Sequence, residues 1–140
     1  VTAYLAGFRG WALAGGPALL MTGYLAMFAA YAGVSLLLVG ITRRMSQSLS
    51  LTGLYAGASF AFAGAIFPVD QASGFAKFWA EILPFTHFAR LLALDWITGA
   101  PTNVAAAPLV PLGLITLVTA VPGAWLYLRA SQRPEDWGKR

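Results

Sequence analysis

The chain lacks cysteine altogether, has a single histidine, and carries charge on only 10% of its 140 residues. Without cysteine there is no disulfide framework, no thiolate metal site and no thiol nucleophile. One histidine and no HExxH pair leave too few nitrogen ligands for a zinc hydrolase. No GxxxxGK[ST] loop is present, so the chain has no phosphate-cradling loop with which to bind ATP by itself. Charge is scarce too: a soluble domain carries it on about a quarter of its residues. The net charge of +4 comes from basic residues standing singly or in pairs at the ends of apolar runs, with no basic stripe that would track nucleic-acid phosphates.

What is abundant is apolar surface, 59% of the chain, gathered in long runs and not in amphipathic stripes. This pattern predicts an all-α integral membrane protein. From Pro17 to Ile41 no charge occurs for about 25 residues, enough for a helix rising 1.5 Å per residue to cross a hydrocarbon core of about 30 Å. Residues 42–48 then read as a polar turn containing Arg43 and Arg44, and 49–67 as a second span that stops before Pro68. A third span is expected over 104–128, with Asn103 as N-cap and Pro111 and Pro122 as points of bending. Residues 1–16 read as the end of an upstream span and a loop, and 129–140 as a tail. The start at Val1 has no basic segment before a short apolar core, so it reads as the interior of a longer protein and not as a signal peptide.

Between the second and third spans lies 68–103, whose apolar element from about Gly74 to Thr98 is too short and too charged to cross a bilayer alone. It starts near Ser73, is interrupted at Pro84, and carries Lys77, Glu81, His87, Arg90 and Asp95. Each charge at the bilayer centre would cost about 2.5–3.5 kcal/mol, so two short helices folded into the outer edge are expected, with Phe75, Phe78, Trp79, Phe85, Phe88 and Trp96 at headgroup level. The positive-inside rule places the Arg43/Arg44 turn and the tail with Arg129, Arg133, Lys139 and Arg140 in the cytoplasm, and the hairpin outside.

Glu81, Pro84, His87 and Arg90 are the candidate outer gate or substrate exit, because ionisable residues at membrane depth often line pathways. The competing reading is interfacial anchoring, with Lys77 and Glu81 as a surface pair one turn apart. In the second span Gly53, Gly57, Ala61 and Ala65 recur every four residues, a ridge of small residues suited to close helix packing. Ser59 with His87 as its base is a remote hydrolase pair, with no orienting acid in evidence.

The stretches AFAGAIFPVD and AEILPFTHFARLLALDWITGAP resemble the permease subunit of type-2 ABC exporters, with Phe67, Pro68, Leu83, Pro84, Thr86, His87 and Gly99 at the matching positions. FRG at Phe8–Gly10, and the span leading to the polar turn with Gln47, extend the likeness over about residues 8–130. The resemblance implies the C-terminal part of a larger, about six-span permease, of which this chain has the last three spans and the re-entrant helical hairpin. It implies no cofactor on this chain, since ATP and magnesium would sit in separate ABC ATP-binding subunits. It further implies a second permease subunit, a surround of membrane lipid, and a bacterial plasma or inner membrane with the C-terminus cytoplasmic. The alternative is a non-transporting helical membrane subunit or scaffold.

Overall fold

The computed structural model describes residues 16–62 and 73–132, all helical apart from short connections. The first helix, α1 (Pro17–Thr42), begins with proline, whose fixed φ suits a first helical turn where the amide has no partner. It runs uninterrupted because nothing in 26 residues breaks it, and it ends where Arg43 turns left-handed at φ 51°, donating its N–H to the Val39 carbonyl at 3.0 Å. The expected turn over 42–48 shrinks to Arg43 and Arg44, and α2 (Met45–Phe62) starts four residues ahead of position 49. The hydroxyls there satisfy themselves: Ser48 Oγ bonds the Arg44 carbonyl at 2.9 Å, Ser50 Oγ the Ser46 carbonyl at 3.0 Å, and Ser48 meets Thr42 at 2.6 Å. Polar residues bonded within a helix do not end it. The remainder of the expected second span, with Ala65, Phe67 and Pro68, lies outside the described residues.

Two short helices follow, α3 (Gly74–Ile82) and α4 (Pro84–Leu92), broken where Leu83 takes extended geometry ahead of Pro84. Ser73 caps α3 by accepting from the Ala76 amide at 3.4 Å. At nine residues, each of these helices is about 14 Å long, well short of a bilayer core. A π-helical turn, Ala93–Ile97, continues α4, and Gly99 at φ 59° ends it, letting the Ala100 amide reach back to the Leu94 carbonyl at 2.9 Å.

The segment expected as the third span is helical, with a different start. A single turn, α5 (Thr102–Ala105), precedes a break at 106–108, and α6 (Leu109–Ser131) begins after Pro108. Asn103 therefore lies within α5 and is not the cap of the long helix. Pro108 has no amide to continue α5 and opens α6 instead.

Among the described residues two segments are long and apolar enough to cross a membrane, Pro17–Thr42 and Thr102–Ser131. Only 22% and 17% of their most apolar stretches are buried, whereas the core helix of a soluble domain would be mostly covered. Leu25, Phe28, Val118 and Val121 all point outward. The α2 segment, with Ser46, Gln47, Ser48 and Ser50 in its first turns, does not reach that apolarity within its described length.

The most extensive contact joins α1 to α6. Glycine makes it possible: a Cβ added to Gly123 would lie 2.7 Å from the Leu37 amide nitrogen, and one on Gly40 2.8 Å from Leu126 Cβ. Pro122, just before this contact, leaves the carbonyl one turn earlier without its usual amide. Against this pair, α4 packs its Leu91 under Gly23 and its Phe88 on Tyr24, ring centroids 4.8 Å apart. Phe88, expected at the headgroup level, is thus a core residue, while Phe75 and Phe78 are exposed.

Candidate functional site

The break at Pro84 turns α4 so that one face of it is buried: Pro84, Thr86, His87, Phe88 and Leu91 are all enclosed. His87 falls on that face three residues after the bend, 2% exposed, and its Nε2 donates to the Glu81 carbonyl at 2.8 Å. That carbonyl belongs to the last turn of α3, where helix geometry supplies no amide. His87 therefore closes the end of one short helix while being carried by the next.

Arg90, one turn further along α4, reaches the same end of α3 and donates from Nη2 to Glu81 Oε1 at 2.5 Å. The basic partner of Glu81 is thus Arg90 on the neighbouring helix and not Lys77 one turn away on α3. The hydrogen bond from Arg90 holds the Glu81 carboxyl below the usual carboxylate range; partial burial opposes the shift, and the charges of Arg90 and His87 add to it. A depressed carboxylate contributes its stabilisation fully above its ordinary value of 4.5 and loses it as pH falls through the lower, folded value. Trp79 fluorescence is accordingly expected to stay flat between about pH 7 and pH 5, then to report loosening of α3 from α4 as pH falls further. Arg90→Gln should flatten that acid limb, and an unchanged limb in the variant would assign it to another group.

Glu81, His87 and Arg90 line a cavity of about 620 Å³ together with Ala93, Leu94, Val104, Ala107, Pro108 and Pro111. Its volume is in the middle of the range, about 300–1,000 Å³, for pockets that take one small organic molecule. The polar groups sit at the α3–α4 end; the π-turn and the α5–α6 break provide the apolar wall. Three of the four residues singled out from the sequence are brought to this cavity, and Pro84 supplies the bend that brings them there.

The second group singled out from the sequence behaves differently. Gly53, Gly57 and Ala61 lie on the exposed side of α2, and a Cβ at either glycine meets nothing within 4 Å. The close helix approach within the described chain uses Gly33, Gly40 and Gly123 instead. Their signal was in the sequence, as two glycines seven residues apart in the first span and one directly after Pro122, but the four-residue repeat of the second span is the more conspicuous pattern. Ser59 is fully buried beside Tyr31, and His87 gives its Nε2 to the Glu81 carbonyl, so no hydrogen bond joins Ser59 and His87 as a hydrolase pair. Among the described residues no three histidine, aspartate or glutamate side chains gather as metal ligands.

The chain matches no protein-family model, no curated protein and no solved structure.

Proposed function

We propose that the chain is the C-terminal part of the membrane-spanning permease of an ATP-driven exporter, with α1, α2 and α6 as spans and α3–α4 as a hairpin set into the outer leaflet. The observation that carries this reading is the broken helix pair itself. A hairpin too short to span is packed by α4 against α1, α2 and α6, and it holds Glu81, His87 and Arg90 at the rim of one cavity. Irregular backbone at membrane depth is tolerated where it is buried in protein or lines a cavity, and ionisable residues there mark pathways. In this reading the cavity is the outer gate or substrate exit. ATP is hydrolysed by separate ATP-binding subunits, and a second permease subunit covers the exposed Gly53, Gly57 and Ala61 face of α2.

The absence of cysteine makes the topology directly testable. Single cysteines at Gln47, Lys77 and Gln132, labelled in inverted and right-side-out vesicles, are expected to report Gln47 and Gln132 on the cytoplasmic side and Lys77 outside. Labelling of Lys77 from the cytoplasmic side would overturn the re-entrant hairpin. For the assembly, Gly57→Leu is expected to abolish crosslinking to a second permease subunit and co-purification of an ATP-binding subunit, with the fold of this chain retained. Assembly and transport unchanged in that variant would remove α2 as the contact.

A further inference from the structure

We propose that the cavity between the α3–α4 bend and the α5–α6 break is a binding site for a zwitterionic amphiphile, its apolar body on the π-turn side and its two head charges exchanged onto Arg90 and Glu81. The proposal deepens, and rests on, the reading of this cavity as the substrate exit.

Three observations carry it. The first is the wall: Ala93, Leu94, Val104, Ala107, Pro108 and Pro111 offer no charge and no side-chain hydrogen-bonding group, so the body of a ligand must be apolar. The second is the rim, where the charged groups are one guanidinium and one carboxylate already bonded to each other, with side chains 47% and 56% exposed and so open to an incoming head. The third is His87, buried and engaged through Nε2 with the Glu81 backbone carbonyl, which ties the α3 end of the rim to α4.

Charge complementarity then selects the head. An anion alone would draw Arg90 away and leave Glu81 beside a like charge; a cation alone would do the same to Arg90. A zwitterion replaces each partner of the ion pair with an equivalent, so both charges stay compensated through the exchange. The arginine suits phosphate or carboxylate, since its planar fork presents five donors and Glu81 Oε1 takes one of them. The carboxylate suits an ammonium.

The test is titration of the full chain in maltoside micelles, read by the side-chain nitrogen resonances of Arg90 and His87, with amphiphiles sharing one dodecyl chain. Dodecylphosphocholine is expected to bind about tenfold more tightly than dodecyl phosphate or dodecyltrimethylammonium, a factor that one charge-assisted contact supplies. Glycerophosphocholine, the head without the chain, should bind at least about tenfold more weakly; equal binding would make the ligand a polar solute and overturn the amphiphile. Glu81→Gln is expected to move the preference to dodecyl phosphate and Arg90→Gln to dodecyltrimethylammonium. Glu81→Arg combined with Arg90→Glu keeps an ion pair and should keep the zwitterion preference, which separates loss of the site from loss of the fold. Preferences that ignore these substitutions would overturn the proposal. Because binding is read without ATP, a partner or transport, its failure leaves the exporter reading standing, and failure of the topology or assembly experiments leaves the binding result readable.

Discussion

Gly123→Ala is expected to destabilise the helix pair by about 1–3 kcal/mol, and Gly123→Leu to prevent α1 and α6 from closing at all. The added Cβ would sit 2.7 Å from the Leu37 nitrogen, 2.9 Å from its Cα and 3.1 Å from the Leu36 carbonyl carbon. All three are backbone atoms of α1, so no rotamer change relieves the contact and one helix must move. Substitution at Gly40 meets Leu126 Cβ at 2.8 Å, still close to the backbone, and should cost somewhat less. At Gly33 the nearest atom is the Thr119 hydroxyl, which can turn aside only by giving up its bond to the Ile115 carbonyl, with the Ala120 nitrogen behind it at 3.2 Å, and at Gly23 it is the flexible tip of Leu91. The expected order of damage is therefore Gly123, Gly40, Gly33, Gly23. Gly53→Ala and Gly57→Ala, where a Cβ meets nothing, should be neutral or stabilising by up to about 1 kcal/mol through helix propensity. Thermal unfolding in one detergent, followed by tryptophan fluorescence, ranks the series, and a Gly123→Ala variant melting with the Gly53→Ala variant would show that α1 and α6 do not meet as described.

That ordering also shows where the sequence was legible and where it was not. The extent of α1 was readable to within a residue, because proline opens it and no charge or further proline interrupts its 26 residues. The bend between α3 and α4 was readable for a similar reason, since Pro84 forbids one continuous hydrogen-bond ladder. The start of α2 was not, because Ser46, Ser48 and Ser50 look like a loop until the Ser48 and Ser50 hydroxyls are seen to bond back to carbonyls one turn earlier. The start of α6 was not either: three prolines near it, Pro101, Pro108 and Pro111, each fit a first turn, and only packing chooses among them. Helix partners were the least legible feature. In apolar runs every face is hydrophobic, so the contact face is marked by small residues alone, and these are abundant in both the ridge left open on α2 and the one that closes on α6. Glu81, His87 and Arg90 could be chosen as chemically unusual from sequence, but that the first accepts from both others through different oxygens depends on the angle at Leu83.

His87→Ala should be the most damaging change at the cavity, lowering stability by about 2–4 kcal/mol, from a void in a covered site and a hydrogen bond lost to the Glu81 carbonyl. The residue is 2% exposed, so its loss opens space beneath the cavity it lines and takes the side-chain donor from the Glu81 carbonyl. Arg90→Ala removes the charged partner of Glu81, yet both of those side chains are about half exposed and such pairs contribute only about 0–1 kcal/mol. Stability and recognition should therefore separate along the rim: His87 holds the bend, and Arg90 with Glu81 faces whatever enters. His87→Gln retains a side-chain N–H and is expected to recover part of the loss. The unfolding midpoint checks the first half of this, with Trp79 on α3 reporting whether the hairpin opens before the α1–α6 pair melts. If His87→Ala melts as the parent does while Arg90→Ala collapses the hairpin, the bend is held by the ion pair, and the cavity rim would then be a structural joint with no freedom to exchange its charges onto a ligand.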